Sequence, residues 1–320
     1  MATFAGELLG VIPKNRTADL NTLLFLIYKD LTLHTSNNKI TDNEFHPERL
    51  FEAARKGDFI RCHSLLSGHS NIRERINDKH CGHYDNGTTA LVIAVKYSNS
   101  SMYPPDPREQ FESVIALLLQ YGADVSVVCI DGKTALHWAI KRAAPIKIMQ
   151  LLLERLPKDK IDTEVDGNTA LMTAVKCTPR KLWNGQVSAL LEHGADPHTL
   201  DKKGNSLLHQ SSLTGEWLVK NLKQYDMNIN RKNENGATPL ITAISQNYVY
   251  RQNIGYDYCF DPYVEILLEQ GADISITDNN GMTAIQHAAF YLLEDDYILL
   301  LLLEVENEYQ QNVLCVDEGP

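Results

Sequence analysis

The chain has 320 residues, 43% of them apolar, and 30 Lys+Arg stand against 41 Asp+Glu for a net charge of −11. That length suits two average domains or one elongated repeat array, and the apolar share excludes low-complexity disorder. The acidic balance argues against coating nucleic acid or an anionic membrane through the overall field, and the longest aliphatic run, Ile298 to Leu303, falls far short of a bilayer span.

Glu7 interrupts the first apolar stretch and no basic residue precedes Lys14, so the N-terminus lacks the pattern of a secretory signal and a cytosol is the expected place of action. Cys62, Cys81, Cys129, Cys177, Cys259 and Cys315 form no C-x-x-C pair, which disfavours a disulfide framework or a four-ligand zinc site. Along residues 1–46, Leu20, Leu23, Leu24, Ile27 and Leu31 make a helical stripe. It predicts a helix from about Asp19 to Leu33, acting as an N-terminal cap, followed by a polar linker from His34 to Asn43.

A helix-turn-helix pattern begins near Pro47 and includes RLFEAARKGDFIRCHSLLSG from Arg49. After it, Gly-x-Thr-(Ala/Pro)-Leu recurs as DNGTTALVIA, DGKTALHWA, DGNTALMTA and NGATPLITA, with looser copies KGNSLLHQS and NGMTAIQHA. The anchors Gly87, Gly132, Gly167, Gly204, Gly236 and Gly281 are 45, 35, 37, 32 and 45 residues apart. Thr89, Thr134, Thr169, Ser206, Thr238 and Thr283 then stand where a helix N-cap is wanted. A second marker closes each unit: LLLQYGADVSVV, LLEHGADPHTL, LKQYDMNINRK and LLEQGADISIT read as Leu-rich helices ended by Gly or an equivalent.

These two markers resemble the ankyrin-repeat family from about Pro47 to the C-terminus. The resemblance implies an all-α solenoid, with a β-turn and two antiparallel helices per unit. Residues 47–320 then hold about seven units, the last ending in an apolar helix followed by acidic residues as a C-terminal cap. Two units carry insertions, near residues 97–110 and 246–263, placed as loops between the inner and outer helices. Pro104, Pro105 and Pro107 break any helix in the first, while the second is dense in aromatics, including Tyr248, Tyr250, Tyr256 and Tyr258. Those rings either pack on a neighbouring repeat or contact a partner.

Charge is segregated: residues 1–130 sum to −2, residues 131–232 to +5 and residues 233–320 to −14. Lys133, Lys141, Arg142, Lys176, Lys202 and Lys203, with Trp138 and Asn168 nearby, form a basic stripe at positions that vary within the family on its concave side. It suits an acidic or phosphorylated protein partner; the plain alternative is a solvated face. His137 and His209 hold the place of the family's structural histidine, which bonds neighbouring turns, while Val92, Met172, Ile241 and Gln286 replace it elsewhere and His287 lies one position off. His80, Cys81 and His83 are the metal-like grouping, weak without a second ligand pair, and no metal or cofactor is expected. No phosphate loop, HExxH helix or Gly-x-Ser-x-Gly elbow occurs.

By resemblance, Asn230 with Leu222 fits the asparaginyl-hydroxylation pattern of ankyrin repeats, and His198 with Leu190 occupies the same site. The expected function is that of a monomeric, non-enzymatic protein-binding scaffold. Uneven repeat lengths and an acidic C-terminus are similar to the ankyrin effectors that intracellular bacteria secrete into host cytosol. An enzyme with its active site in residues 1–46 or an insertion is the alternative.

Overall fold

The structure is a computed structural model that describes residues 47–68, 72–80, 85, 87–99, 107–177, 180–211, 216–254, 261–291 and 296–317. The expected cap helix and linker in residues 1–46, and Cys81, His83, Tyr256 and Tyr258, lie outside the described residues.

Seven helix pairs follow one another among the described residues. They are α1 Pro47–Lys56 with α2 Phe59–Ser67, followed by a short helix α3 Ile72–Arg75; α4 Ala90–Tyr97 with α5 Pro107–Gln120; and α6 Ala135–Lys141 with α7 Ile146–Leu153. Next come α8 Ala170–Cys177 with α9 Arg180–Glu192, and α10 Leu207–Gln210 with α11 Glu216–Lys220. The series closes with α12 Pro239–Ile254 and α13 Asp261–Glu269, then α14 Ala284–Tyr291 and α15 Tyr297–Asp317. The inner helices α1, α4, α6, α8, α10, α12 and α14 each pack on the next, while the outer helices form rows α2–α5–α7–α9 and α11–α13–α15.

Composition explains why a helix of two turns suffices. An inner helix meets its own outer helix and two neighbouring inner ones, so nearly every side is covered, and small residues such as Ala90, Ala94, Ala139 and Ala174 let the axes approach. Between them Leu91, Leu118, Leu136, Ile148 and Leu171 run into one continuous core, each contributing about 1.5–3 kcal/mol by burial.

The turn before each inner helix from α4 onward is a small hydrogen-bonded finger. In the third unit the Cys129 N–H donates to the Lys133 carbonyl at 3.0 Å and the Gly132 N–H to the Cys129 carbonyl at 2.9 Å. The same pair of bonds joins Asn233, Ala237 and Gly236 in the sixth unit, and Asp278, Met282 and Gly281 in the seventh. Each anchor glycine sits at positive φ, and Gly236 is pressed hardest: a Cβ there would lie 2.7 Å from the Asn279 backbone nitrogen. At the far helix ends, Asp226 takes a φ of 49° where the other copies have glycine, which makes it the equivalent that the sequence pattern anticipated.

Thr89, Thr169, Thr238 and Thr283 cap their helices as expected, each accepting the N–H of the third residue on. The second insertion departs from the loop expected of it. From Pro239 to Ile254 no glycine or further proline interrupts the chain, so the inner helix continues through residues 246–254 before Gly255. In the first insertion helix α5 begins at Pro107, whose missing N–H costs nothing at a helix start. In the last unit Phe290, at 75% exposure, and Leu300, at 52%, face outward ahead of the exposed Glu304 and Glu308.

Candidate partner-binding surface

Helix α6 places Trp138 on the inner row, with 8% of its surface exposed. Four cationic heads surround the indole. From the ring centroid, the Lys96 Nζ lies at 4.7 Å, the Lys141 Nζ at 5.4 Å, the Arg142 guanidinium carbon at 5.5 Å and the Lys133 Nζ at 6.0 Å. The negative ring face attracts each of them and limits where each long side chain can wander. They come from three places: Lys96 from the end of α4, Lys133 from the finger ahead of α6, and Lys141 and Arg142 from the end of α6 itself.

Two of the four charges are offset. The Lys96 ammonium is bonded to the Asp85 carboxylate, which also accepts from the Tyr97 hydroxyl at 2.9 Å. Burial, and then this bond, raise the Tyr97 phenol above its ordinary pKa. Lys133 lies 3.6 Å from the Asp131 carboxylate and 4.0 Å from that of Asp166. Among the described residues, Lys141 and Arg142 meet no carboxylate. The Arg142 carbonyl is held by the Asn99 amide at 2.8 Å, which ties the end of α6 to the preceding unit.

Of the anticipated site residues, Lys133, Trp138, Lys141 and Arg142 are therefore brought together. Trp138 is the floor of the cluster, not an exposed contact. Asn168 and Lys176 form a second small group, with the Lys176 Nζ donating to the Asn168 Oδ1 at 2.7 Å and lying 3.8 Å from Asp201. Lys202 lays its methylene stem across the Gly167 turn, so closely that a Cβ on Gly167 would meet the Lys202 Cε at 2.5 Å. Lys203 accepts the Glu234 N–H through its carbonyl at 3.1 Å, linking two fingers. Tyr248 and Tyr250 fall on α12, in its extended portion. Lys96 was missed by the sequence reading, although a lysine recurs near the ends of α4, α6 and α8 as Lys96, Lys141 and Lys176.

The titratable groups elsewhere serve the fold. His209 accepts the Ser206 N–H at its Nδ1, 3.1 Å away, so its Nε2 carries the proton and donates to the Ala237 carbonyl of the next unit at 3.0 Å. Burial holds its pKa below the ordinary imidazole value. His137 bonds the Thr134 hydroxyl at 2.8 Å, but its Nε2 makes no bond of normal geometry, although the Asn168 backbone is near enough to favour the protonated ring. Burial pushes its pKa down to about 4. His287, off register in the sequence, pairs instead with Asp278 at 3.0 Å. His80 meets Phe51 edge-on at 4.9 Å and bonds the Thr88 carbonyl through its backbone. Burial pushes the thiols of Cys62 and Cys129 up, to about 12 and about 11. Among the described residues no helix is long and apolar enough to cross a membrane.

At the turn tips, Asn230 accepts the Asp273 N–H at 2.9 Å through its Oδ1, a bond that Asn77 makes to Asp124 and Asp162 to Asp196. His198 is exposed beside Asp196, whose carboxylate receives its backbone N–H.

Stacked helix pairs joined by hydrogen-bonded fingers define a repeat solenoid, and residues 108–186 and 181–251 match the family model described as ankyrin repeats. Residues 108–251 are thus ankyrin repeats, and the fold is that of an ankyrin-repeat domain. It is 34% identical over 137 residues to NF-kappa-B inhibitor delta of Homo sapiens, covering 38% of this chain and 43% of that protein. It is 28% identical over 180 residues to the B-cell lymphoma 3 protein homolog of Mus musculus, covering 55% of this chain and 36% of that one. The chain thus spans about two fifths of the length of these curated relatives. Among solved structures, the ankyrin repeat domain of Bcl-3 superposes with a TM-score of 0.58 at 23% identity, over 81% of this chain and 98% of that one. The human ASB11 ankyrin repeat domain gives 0.55 at 18% identity, over 85% and 98%. At those identities both comparisons establish the fold alone.

Proposed function

We propose that the protein is a non-enzymatic scaffold that binds an acidic or phosphorylated segment of a partner protein along its inner helices and fingers. The observation that carries this reading is the convergence of Lys96, Lys133, Lys141 and Arg142 on Trp138, with two of the four charges unmatched by any described carboxylate. Lys176, Lys202 and Lys203 continue the basic surface toward the fifth unit. The relative named as an inhibitor of NF-kappa-B acts on another protein, which supports a protein partner here. The buried histidines and thiols already have structural roles, which weighs against a hydrolytic or thiol-based active site within the repeats.

Affinity capture followed by mass spectrometry tests the proposal. Reversing charge at Lys133, Lys141, Arg142 and Lys202 together is expected to abolish capture of the principal partner while the unfolding midpoint stays near that of the parent. Unchanged capture removes this surface from consideration.

The reading extends to two further features. Action on host proteins after secretion into a host cytosol draws its support from the −14 carried by residues 233–320 and from the uneven repeat lengths. A translocation assay on a chain with Glu304→Gln, Glu306→Gln, Glu308→Gln, Asp317→Asn and Glu318→Gln tests it, undiminished delivery counting against the reading. Hydroxylation of Asn230 at the β-carbon is a decoration of the turn tip, tested by a gain of one oxygen in the peptide containing it.

A further inference from the structure

A lysine near the end of an inner helix has an ordinary explanation, since a cation there complements the helix dipole. In two units such a lysine is also received by a finger carboxylate: Lys96 by Asp85, and Lys176 by Asp201 at 3.8 Å. The third unit breaks this pattern. Asp131 of its own finger and Asp166 of the fourth unit's finger face Lys133 instead, and Lys141 turns onto the indole with Arg142 beside it. The dipole accounts for cations at this helix end but not for their gathering with Lys96 and Lys133 around one ring.

Building on the partner-binding reading above, we propose that this cluster is a seat for one phosphorylated side chain of a peptide segment, with Lys141 and Arg142 as its principal donors and Trp138 as its floor.

The unpaired donors select the ligand. Asp85 pairs with Lys96 and Asp131 with Lys133, so Lys141 and Arg142 are the two cations that no described carboxylate meets, and with the exposed Asp166 at 4.0 Å from Lys133 the cluster sums to +1. A phosphoryl group carries about −1.5 to −2 near neutral pH and three acceptor oxygens, so it can answer both unpaired cations, whereas a carboxylate brings them one charge. Arginine adds a planar fork that grips two phosphoryl oxygens at once. The ring preorganises the donors, and less side-chain freedom is left to lose on binding.

The shape favours a peptide over a lipid surface. Donors come from both the helix row and the finger, so the seat lies in the angle between them. Ile130 is 75% exposed on the same finger as Lys133. An extended chain that sets its phosphorylated side chain on Lys141 and Arg142 can place an apolar neighbour against Ile130, a contact a lipid headgroup alone does not supply.

The test uses the full chain, immobilised, and three peptide libraries with a fixed centre and random flanks: phosphorylated Ser, Thr or Tyr, the unphosphorylated residue, and Asp. Retention of the phosphorylated library is expected to exceed that of the Asp library by at least about tenfold, and to fall by a similar factor in Lys141→Ala/Arg142→Ala. Lys158→Ala, at an exposed site away from the cluster, is expected to change nothing. Equal retention of the phosphorylated and Asp libraries overturns the proposal. So does retention insensitive to the double variant, or binding to vesicles of phosphatidylinositol phosphate with no peptide retained. A captured partner that still depends on Lys141 and Arg142 after phosphatase treatment leaves the scaffold reading intact and removes the phosphate seat; capture that ignores the double variant, with unchanged folding, counts against the scaffold reading itself.

Discussion

The Nε2 of His209 donates to the Ala237 carbonyl at 3.0 Å, across the boundary between the fifth and sixth units. In the same ring, Nδ1 accepts the Ser206 N–H and meets the Ser206 hydroxyl at 2.8 Å. One imidazole thereby ties the start of a four-residue helix to the next finger. The fifth unit is where such a tie matters most, because α10 spans only Leu207–Gln210 and has little packing of its own. Replacing His209 with Phe removes the bond to the Ala237 carbonyl, which keeps only the Asn233 N–H, takes the acceptor from the buried Ser206 N–H, and is expected to destabilise the chain by about 1–3 kcal/mol. Urea denaturation measures this; a midpoint within error of the parent's contradicts the assigned role.

Stability is also expected to decline with acidity. His137 is buried neutral, with its pKa pushed down to about 4, while the unfolded chain titrates near 6.5. Below the unfolded value the unfolded state takes up a proton that the folded state refuses, so stability present above pH 6.5 is lost as pH falls towards 4. The His137 contribution to that loss is on the order of 3 kcal/mol. His209, shifted in the same direction, adds to the slope. Unfolding curves at several pH values test this; in His137→Gln the dependence between pH 6.5 and 4 is expected to become shallower.

Gly236 occupies a position that only glycine suits, with a φ of 72° and the Asn279 backbone close by. Gly236→Ala is expected to cost about 2–4 kcal/mol, since strain and a backbone clash combine. Gly122, at a φ of 94° with open space around it, isolates the strain alone, so Gly122→Ala is expected to cost less. Thermal unfolding of the two variants side by side checks the order.

Leu302 and Leu303 are neighbours on α15 with opposite surroundings, the first fully buried and the second 40% exposed. Truncating Leu302 to Ala is expected to cost about 2–5 kcal/mol, and truncating Leu303 under about 1 kcal/mol. Equal losses in denaturant melts contradict the orientation given to that helix.

Much of this architecture could be read from residue types because the repeat forces them. A finger that needs positive φ admits glycine, and a helix covered on nearly every side admits alanine, so Gly132 and Ala139 mark their places in the sequence. His209 was legible for the same reason. The cluster around Trp138 was only half legible. Lys133, Lys141 and Arg142 lie close to Trp138 in sequence, whereas Lys96 comes from the preceding unit and joins them only when α4 packs on α6. That Trp138 becomes a covered floor depends on where four flexible side chains settle, which no local pattern encodes. The extension of α12 through residues 246–254 was open to view in the lack of glycine and proline there, but its place as extra length between the two helices of a unit suggested a loop.

The central claim is that a protein partner binds through the cations gathered on Trp138, and affinity for the captured partner tests it most directly. Calorimetric titration of that partner into the parent chain and into Lys141→Glu/Arg142→Glu is expected to show at least about a tenfold weakening in the variant, with the unfolding midpoint preserved. Dissociation constants within twofold of each other in the two titrations would contradict it.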